Sequence, residues 1–548
     1  MRAPDVAGPG ALQTWLARLE ALHPVAIDLG LERVRGVWEA VGSPRPGRQV
    51  ITVAGTNGKG STVATMDAVL RAHGLRTATT TSPHLRRFNE RILLDGVMAE
   101  DAAIVAAFER IDAARGDVSL TYFEFAILAA LLLMADAAPD VALLEVGLGG
   151  RLDAVNVIDA DLAVITAIDL DHQAWLGPDR ETIGGEKAGI LRPGRPLVLG
   201  DREPPASILD RAAALGAPCL RIGAAQDFDR LPQRADAGPD RRRAGSETGP
   251  GPETDTTALR FGFRGRDASG LPVTLDDLPL PPLHPDPVLT ALQALLGAGH
   301  DLDPARVRTA LDGLTLQGRM QVLRVEGVEV LLDVAHNPHA ARALAARIDS
   351  GADSGAAPGT AAGSEAGVPL YGVLGTFLDK DAAGMLAPFG ERFAGLWLVD
   401  TPGPRGRSAA ELLAALPAAE RARPALQASG DITAALEAAL EAARANGGGV
   451  LVFGSFTVVA AALDLLEPRA APSRAASASL TICPATAVAA PLAAPFVASL
   501  TTPLTTPLTT PLTTPLTAPL PSARVTPGRA SAPDTAAGTE RRDGIEPR

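Results

Sequence analysis

The sequence predicts an α/β protein: a P-loop-type N-terminal domain on a parallel sheet, a smaller Rossmann-like C-terminal α/β domain, and a disordered C-terminal tail. Three observations predict it. Apolar strands alternate with helical segments in two separate series, a lysine-bearing glycine turn joins the first strand to its helix, and the composition changes near Pro468. Strands covered on both faces by crossover helices read as short continuous apolar runs, and both series have that form.

In chain order, residues 12–45 read as two short helices joined by a turn at Asp28-Leu29-Gly30. The first series then opens with an apolar strand at 50–54 that runs into glycines, followed by helical spacing at 61–73. Further strands are expected at 141–146, 162–166 and 196–199, with a helix at 121–135. Residues 202–280 read as irregular and carry a polar, charged insert at 235–257. The second series places strands at 328–334, 370–374, 396–400 and 449–453, and helices at 340–348 and 432–445. Residues 350–367, rich in Gly, Ala and Ser, are expected to be a flexible loop. These shifts set three segments: 1–285, 286–467 and a tail at 468–548. Within the tail, 501–516 is four copies of Thr-Thr-Pro-Leu. Proline at every fourth position excludes helix, and so short a period cannot be a folded repeat, so disorder is expected.

The chain has 548 residues and a formal net charge of −13, which argues against a general nucleic-acid binder. It leaves a phosphate site open, because backbone N–H groups and one lysine suffice for that. The two cysteines, Cys219 and Cys483, form neither a disulfide framework nor a zinc spacing, which fits a reducing cytoplasm. The first ten residues lack a signal-peptide pattern, and the apolar run at 126–135 is too short to cross a bilayer, so no membrane association is expected.

The chemistry is concentrated in Val50-Ile51-Thr52-Val53-Ala54-Gly55-Thr56-Asn57-Gly58-Lys59-Gly60-Ser61-Thr62. A strand, a glycine turn holding a lysine and a helix aim N–H groups and the positive helix end at a phosphate, with Lys59 on the terminal phosphates. A hydroxyl from Ser61 or Thr62 suits the phosphates or a metal. The strict P-loop pattern is not met, since Val53 stands where its first glycine belongs and Gly60 follows the lysine. An ordinary glycine turn is the competing interpretation.

Gly55 to Ser61 resembles the ATP loop of the folylpolyglutamate synthase branch of the Mur ligase family, in which Thr56, Asn57, Gly58, Lys59, Gly60 and Ser61 hold ATP. Thr81-Ser82-Pro83-His84-Leu85 with Phe88-Asn89-Glu90-Arg91, the stretch Leu144 to Asn156, Asp171-His172 onward to Asp179, Glu186-Lys187-Ala188-Gly189-Ile190 and Asp333-Val334-Ala335-His336-Asn337-Pro338-His339 resemble further motifs of that branch. The resemblance covers roughly residues 12–466. It implies a ligase that activates a carboxylate with ATP to an acyl phosphate, which the amine of L-glutamate attacks, first on dihydropteroate and then on reduced folates.

The resemblance further implies two Mg²⁺ ions, one held by Ser82, Glu145 and His172 and a second by a carbamate formed from Lys187 and CO₂. With Lys59, the residues Glu145, His172 and Lys187 make up the expected catalytic set. Read alone, Glu145 and His172 are ambiguous, and Lys187 is equally a surface lysine paired with Glu186 or Glu181. Arg319, Asp333 and His336 are expected at the nucleotide from the C-terminal side. Asp28, Leu29, Gly30, Thr121, Tyr122, Phe123, Glu124, Leu152, Asp153 and Ala154 are expected around the pterin, although Tyr122 and Phe123 equally suit a helix core. One departure stands out: Pro287 occupies the position of a nucleotide-contacting Asn. The expected protein is a cytoplasmic monomer whose partners are small molecules. Three other possibilities remain: folylpolyglutamate synthesis alone, another Mur-type amino-acid ligase such as one acting on cell-wall precursors, and a non-catalytic nucleotide-binding module.

Overall fold

The structure is a computed structural model. It describes residues 10–470 except 24, 26, 224–227, 232–259, 350–367 and 424. The insert at 235–257, the Gly/Ala/Ser-rich stretch at 350–367 and the tail from 471 onward therefore lie outside the described residues.

An eight-stranded sheet carries the N-terminal lobe. Its order is Val97–Met98, Ile92–Leu94, Thr77–Thr80, Val141–Glu145, Gln49–Ala54, Leu162–Ile165, Leu197–Leu199 and Cys219–Arg221. From Thr77–Thr80 onward all neighbours are parallel, and the two strands at the far edge are antiparallel. Gln49–Ala54 lies between Val141–Glu145 and Leu162–Ile165, and the chain leaves it toward one side of the sheet before returning to the other. That reversal opens a crevice at the carboxyl ends of the central strands, the place where open α/β sheets bind ligands.

One face of this sheet is covered by Ala11–Leu22, Asp101–Arg115 and Tyr122–Ala137. Aromatic residues are few, but they meet here: the Trp15 ring lies 5.8 Å from Phe108 and 6.4 Å from Phe125. Tyr122–Ala137 is buried nearly all round and starts at a capping box, in which Thr121 and Glu124 satisfy each other's backbone N–H. The other face is covered by Lys59–Ala72, Pro285–Gly297 and Pro304–Asp312. The last two helices fall after the expected boundary at 285, yet Val288, Leu292, Leu295 and Leu311 pack with Ile51, Val53 and Leu143 of the first sheet. The apolar stripes of these helices meet that sheet directly.

The described residues within 202–280 are more regular than expected. Arg260–Arg266 and Pro272–Pro279 pair antiparallel, and Asp229–Leu231 adds a third strand. Glycines at 262 and 265 and prolines at both ends of the second strand dilute the strand pattern in the sequence.

The second lobe is a six-stranded sheet in the order Gln321–Val325, Val328–Asp333, Gly449–Phe453, Leu370–Leu374, Phe393–Val399 and Leu426–Gly430. All neighbours are parallel except the first pair, a hairpin turned by Glu326 and Gly327 with φ of 50° and 87°. Helices Pro338–Asp349, Ile432–Asn446 and Phe456–Leu466 cover it. Phe453 lies 5.1 Å from Phe389 and 6.1 Å from Phe393 in its core. Among the described residues no helix is long and apolar enough to cross a membrane.

Phe453 is fully buried. Phe453→Ala is expected to destabilise the second lobe by about 3–5 kcal/mol, the usual cost of emptying an aromatic core site. Urea unfolding followed by circular dichroism measures it; a midpoint equal to that of the unmodified protein would contradict this core.

Candidate active site

The glycine turn is fixed by crowding. At Gly55 the backbone has φ 147°, and a Cβ there would sit 1.8 Å from Thr166 Oγ1. At Gly58, φ is 90° and a Cβ would meet the Pro287 ring at 2.8 Å. Both positions demand glycine. The Thr56 hydroxyl donates to the Asp169 carbonyl at 3.0 Å, which fastens the turn to the next crossover loop. Lys59 opens the following helix, and its Nζ folds back to the carbonyls of Gly55 and Thr56 at 3.1 and 3.3 Å. The turn thus presents a cation and a helix N-terminus to one point in the crevice.

Ser82, Glu145 and His172, three of the expected metal-binding residues, lie at or after the carboxyl ends of three strands of this sheet and line the same cleft. Glu145 ends its strand opposite Val53, and its Oε2 accepts the Ser82 N–H at 3.1 Å. A Cβ on Gly60 would lie 3.5 Å from the same oxygen, so the carboxylate borders the turn. Burial pushes its pKa up, with Lys59 and the Ser82 N–H pulling the other way. His172 follows the Leu162–Ile165 strand; burial lowers its pKa to about 4 despite the charge of Asp171. Glu145 is buried and makes no ion pair among the described residues, as suits a carboxylate that meets a cation. Among the described residues no group of three or more His, Cys, Asp or Glu side chains is arranged to hold a metal. The Ser82 hydroxyl, phosphate oxygens and water would therefore have to complete a shell, as Mg²⁺ prefers.

Lys187 is buried at the end of Arg180–Lys187, and its Nζ donates to the Gly55 carbonyl at 2.9 Å. Burial, then the charge of Lys59, lowers its pKa to about 7. The two acids that could have paired with it are engaged elsewhere. Glu186 binds Arg151 at 2.8 Å, and Glu181 accepts the N–H groups of Ala206 and Ser207.

The second lobe closes over the turn. Asn57 and Asn337 exchange amide hydrogen bonds at 3.1 and 3.0 Å, and the Asn57 amide also reaches His339 Nδ1 at 3.0 Å. Asp171, beside His172, receives Lys380 Nζ at 2.5 Å and the Asn337 amide at 3.0 Å, with His336 Nε2 at 3.5 Å. Burial opposes its ionisation, yet His336, Lys380 and His172 hold its pKa well below the usual carboxylate range. Arg319 lies over the Phe456 ring at 5.1 Å. Burial lowers its pKa while Asp333 and Glu145 oppose the shift. The carboxylate of Asp333 accepts the N–H groups of Met320 and Ala335 at 2.9 and 2.8 Å.

Lys59, Ser82, Glu145, Asp171, His172, Lys187, Arg319, Asp333, His336, His339 and Lys380 line one cleft of about 1130 Å³. One wing runs past Leu283, Pro287, Thr290 and Leu344; Pro287 forms a rigid wall against Gly58. The opposite wing is lined by Asp28, Leu29, Gly30, Thr121, Phe123, Glu124, Leu152, Asp153 and Ala154. Asp153 there accepts the N–H groups of Leu148 and Val155, and burial raises its pKa to about 6. Tyr122 is the one expected site residue absent from the lining. One step round the helix from Phe123, its ring packs edge-on against Phe88 at 6.1 Å, under Arg91. Sequence reasoning gave no role to Asp171, Asn337 or His339, although they sit in the motifs, and it missed Lys380 altogether. Within Leu378-Asp379-Lys380-Asp381 that lysine reads as a solvated turn, and only the fold shows its burial.

A P-loop-type lobe and a smaller parallel-sheet lobe meeting over a phosphate turn define the class: an ATP-dependent ligase. Residues 318–456 match the Mur ligase, glutamate ligase domain. The dihydrofolate synthase/folylpolyglutamate synthase of Escherichia coli K12 is 39% identical over 473 residues, covering 85% of this chain and 98% of that protein. The solved structure of E. coli FolC in complex with DHPP and ADP has a TM-score of 0.72 at 38% identity, covering 85% of this chain and 100% of its own. The bifunctional enzyme of Yersinia pestis, complexed with AMPPNP and Mn ion, has a TM-score of 0.70 at 38% identity, covering 85% and 99%. The chain belongs to the dihydrofolate synthase/folylpolyglutamate synthase family of Mur ligases.

Two outcomes follow from the geometry. Lys380→Met leaves Asp171 buried without its counter-charge and is expected to cost about 3–5 kcal/mol in urea unfolding, largely recovered by adding Asp171→Asn; an unchanged midpoint would contradict the pair's burial. Gly55→Ala is expected to abolish nucleotide binding by calorimetry, because a methyl group cannot share space with Thr166; retained affinity would contradict the crowded turn.

Proposed function

We propose that the cleft joins L-glutamate first to dihydropteroate and then to reduced folates, with ATP held at the glycine turn. The observation that carries this reading is continuity: phosphate turn, cation-ready carboxylate and an aromatic-walled acceptor wing share one cavity. Lys59 and Arg319 approach the triphosphate from opposite lobes, neutralising charge as phosphoryl transfer requires. A carboxylate oxygen of the acceptor bonds to the γ-phosphorus as the bond to the β–γ bridging oxygen breaks, and ADP leaves. The glutamate amine, having lost one proton, bonds to the acyl carbon; inorganic phosphate leaves with the C–O pair, and the nitrogen gives up a second proton. Closure of the two lobes through Asn57, Asn337 and Asp171 keeps water from the acyl phosphate.

Ser82, Glu145 and His172 would hold one Mg²⁺, and a carbamate on Lys187 a second. Divalent ions supply charge neutralisation at the phosphates and orient the γ-phosphorus. The carbamate forms as the unprotonated amine adds CO₂ and releases a proton. Burial of Lys187, and the engagement of Glu186 and Glu181 elsewhere, support that reading. Phe123 offers an aromatic face to a flat pterin. Both lobes of the cleft come from one chain, which suits a monomer.

ADP release should require dihydropteroate and glutamate together, and Lys59→Ala should lower kcat/KM on the order of 10²–10³-fold. A nucleotide-binding module would bind ATP and release no ADP in response to either compound. In crystals grown with bicarbonate, density for three additional atoms is expected on Lys187 Nζ; a bare ammonium would contradict the carbamate.

A further inference from the structure

The two walls of the acceptor wing come from distant parts of the chain. Residues 27–30 lie in the connection between the first two helices, and residues 121–124 form the N-terminal cap of Tyr122–Ala137. One side chain joins them. Arg33, in the first turn of Glu32–Ala40, sends Nη1 to Asp28 Oδ2 at 2.7 Å. Its Nη2 donates to the Asp28 carbonyl at 2.9 Å and to Glu124 Oε1 at 2.9 Å, across 91 residues of sequence. The other oxygen of Glu124 accepts the Thr121 N–H at 2.7 Å, and the Glu124 side chain is 4% exposed. Each oxygen of Glu124 thus already accepts one hydrogen bond from the protein. Asp28 differs: its side chain is 38% exposed, it lines the cleft, and its Oδ1 takes no hydrogen bond among the described residues. That oxygen is positioned to accept from an amino or ring N–H donor of a flat heterocycle.

The reaction limits which acceptor can use this pocket. In every round the reacting carboxylate must reach the γ-phosphorus at the glycine turn. In dihydropteroate that carboxylate is attached directly to the benzoate ring; in a glutamylated folate it lies a glutamyl unit further out. The heterocycles of the two acceptors therefore cannot occupy the same place relative to the turn. We propose that Arg33 is a positioning residue for the shorter acceptor, holding residues 27–30 against the cap at Thr121–Glu124 so that Asp28 meets the heterocycle of dihydropteroate. The proposal rests on the function given above. The planar fork of Arg33 reaches three acceptors from two separate nitrogens, whereas a lysine ammonium would have to serve all three from a single point.

Steady-state kinetics of the full chain test this with Arg33→Gln, Arg33→Lys, Glu124→Gln and the double variant Arg33→Gln/Glu124→Gln. Arg33→Gln should raise KM for dihydropteroate by on the order of tenfold or more while kcat, KM for ATP and extension of tetrahydrofolate stay unchanged. Arg33→Lys should fall in between. The double variant should be no worse than the worse single variant, because both remove one link. An unchanged KM for dihydropteroate would overturn the proposal. So would a parallel loss with dihydropteroate, tetrahydrofolate and ATP, accompanied by a lower Tm, since that marks general destabilisation. Should the unmodified protein release no ADP with dihydropteroate and glutamate, the function itself fails, and that control separates the two.

Discussion

The structure depends on a turn with no room for side chains. Gly55 and Gly58 are pressed against Thr166 and Pro287, and the chain can pass from strand to helix there only through backbone conformations that favour glycine. Everything else at the site is arranged around that turn. The Lys187 ammonium ends on its Gly55 carbonyl, Glu145 borders Gly60, and Asn57 is clasped by Asn337 from the other lobe. A shift of the turn would therefore disturb Lys187, Glu145 and the contact with the second lobe together.

Electrostatics at the site follow from burial. Glu145, Asp153 and Asp333 are removed from water and their pKa values rise, whereas the Lys187 value falls for the same reason. Asp171 is the exception, because Lys380 and two histidines crowd its carboxylate. Perturbed groups of both signs in one cleft mark it as a functional-site candidate. Ligands bearing complementary charge are also expected to stabilise the folded chain by mass action.

Much of this was legible in the sequence, and what was not has physical causes. The central strands at 50–54, 141–145, 370–374 and 449–453 are continuous apolar runs because both faces are covered, so they read plainly. The strand Thr77–Thr80 is made of small residues, its antiparallel neighbours are two or three residues long, and the 260–279 hairpin is interrupted by glycine and proline; periodicity does not register such elements. The helices after 285 were assigned to the second domain because sequence shows order along the chain, not which sheet an apolar stripe meets. The glycine–lysine turn was visible because its constraint is local. Lys380 was not, since it acts through Asp171 far away in sequence and its neighbours resemble a solvated charged turn; Arg33 follows the turn at 28–30, but its bond to Glu124, 91 residues on, leaves no mark in the sequence. Glu124, expected at the pterin from its place in a motif, lines the cleft and also accepts from Arg33 and from the N–H of Thr121, a second task that the motif does not show.

In the proposed reaction the acceptor's own carboxylate takes the γ-phosphoryl group at the glycine turn. The direct measurement is turnover of dihydropteroate carrying ¹⁸O in its carboxylate, with mass analysis of the inorganic phosphate released. Acyl-phosphate formation predicts one ¹⁸O in each phosphate for each amide formed. Phosphate without label, alongside dihydrofolate formed at the same rate, would contradict it.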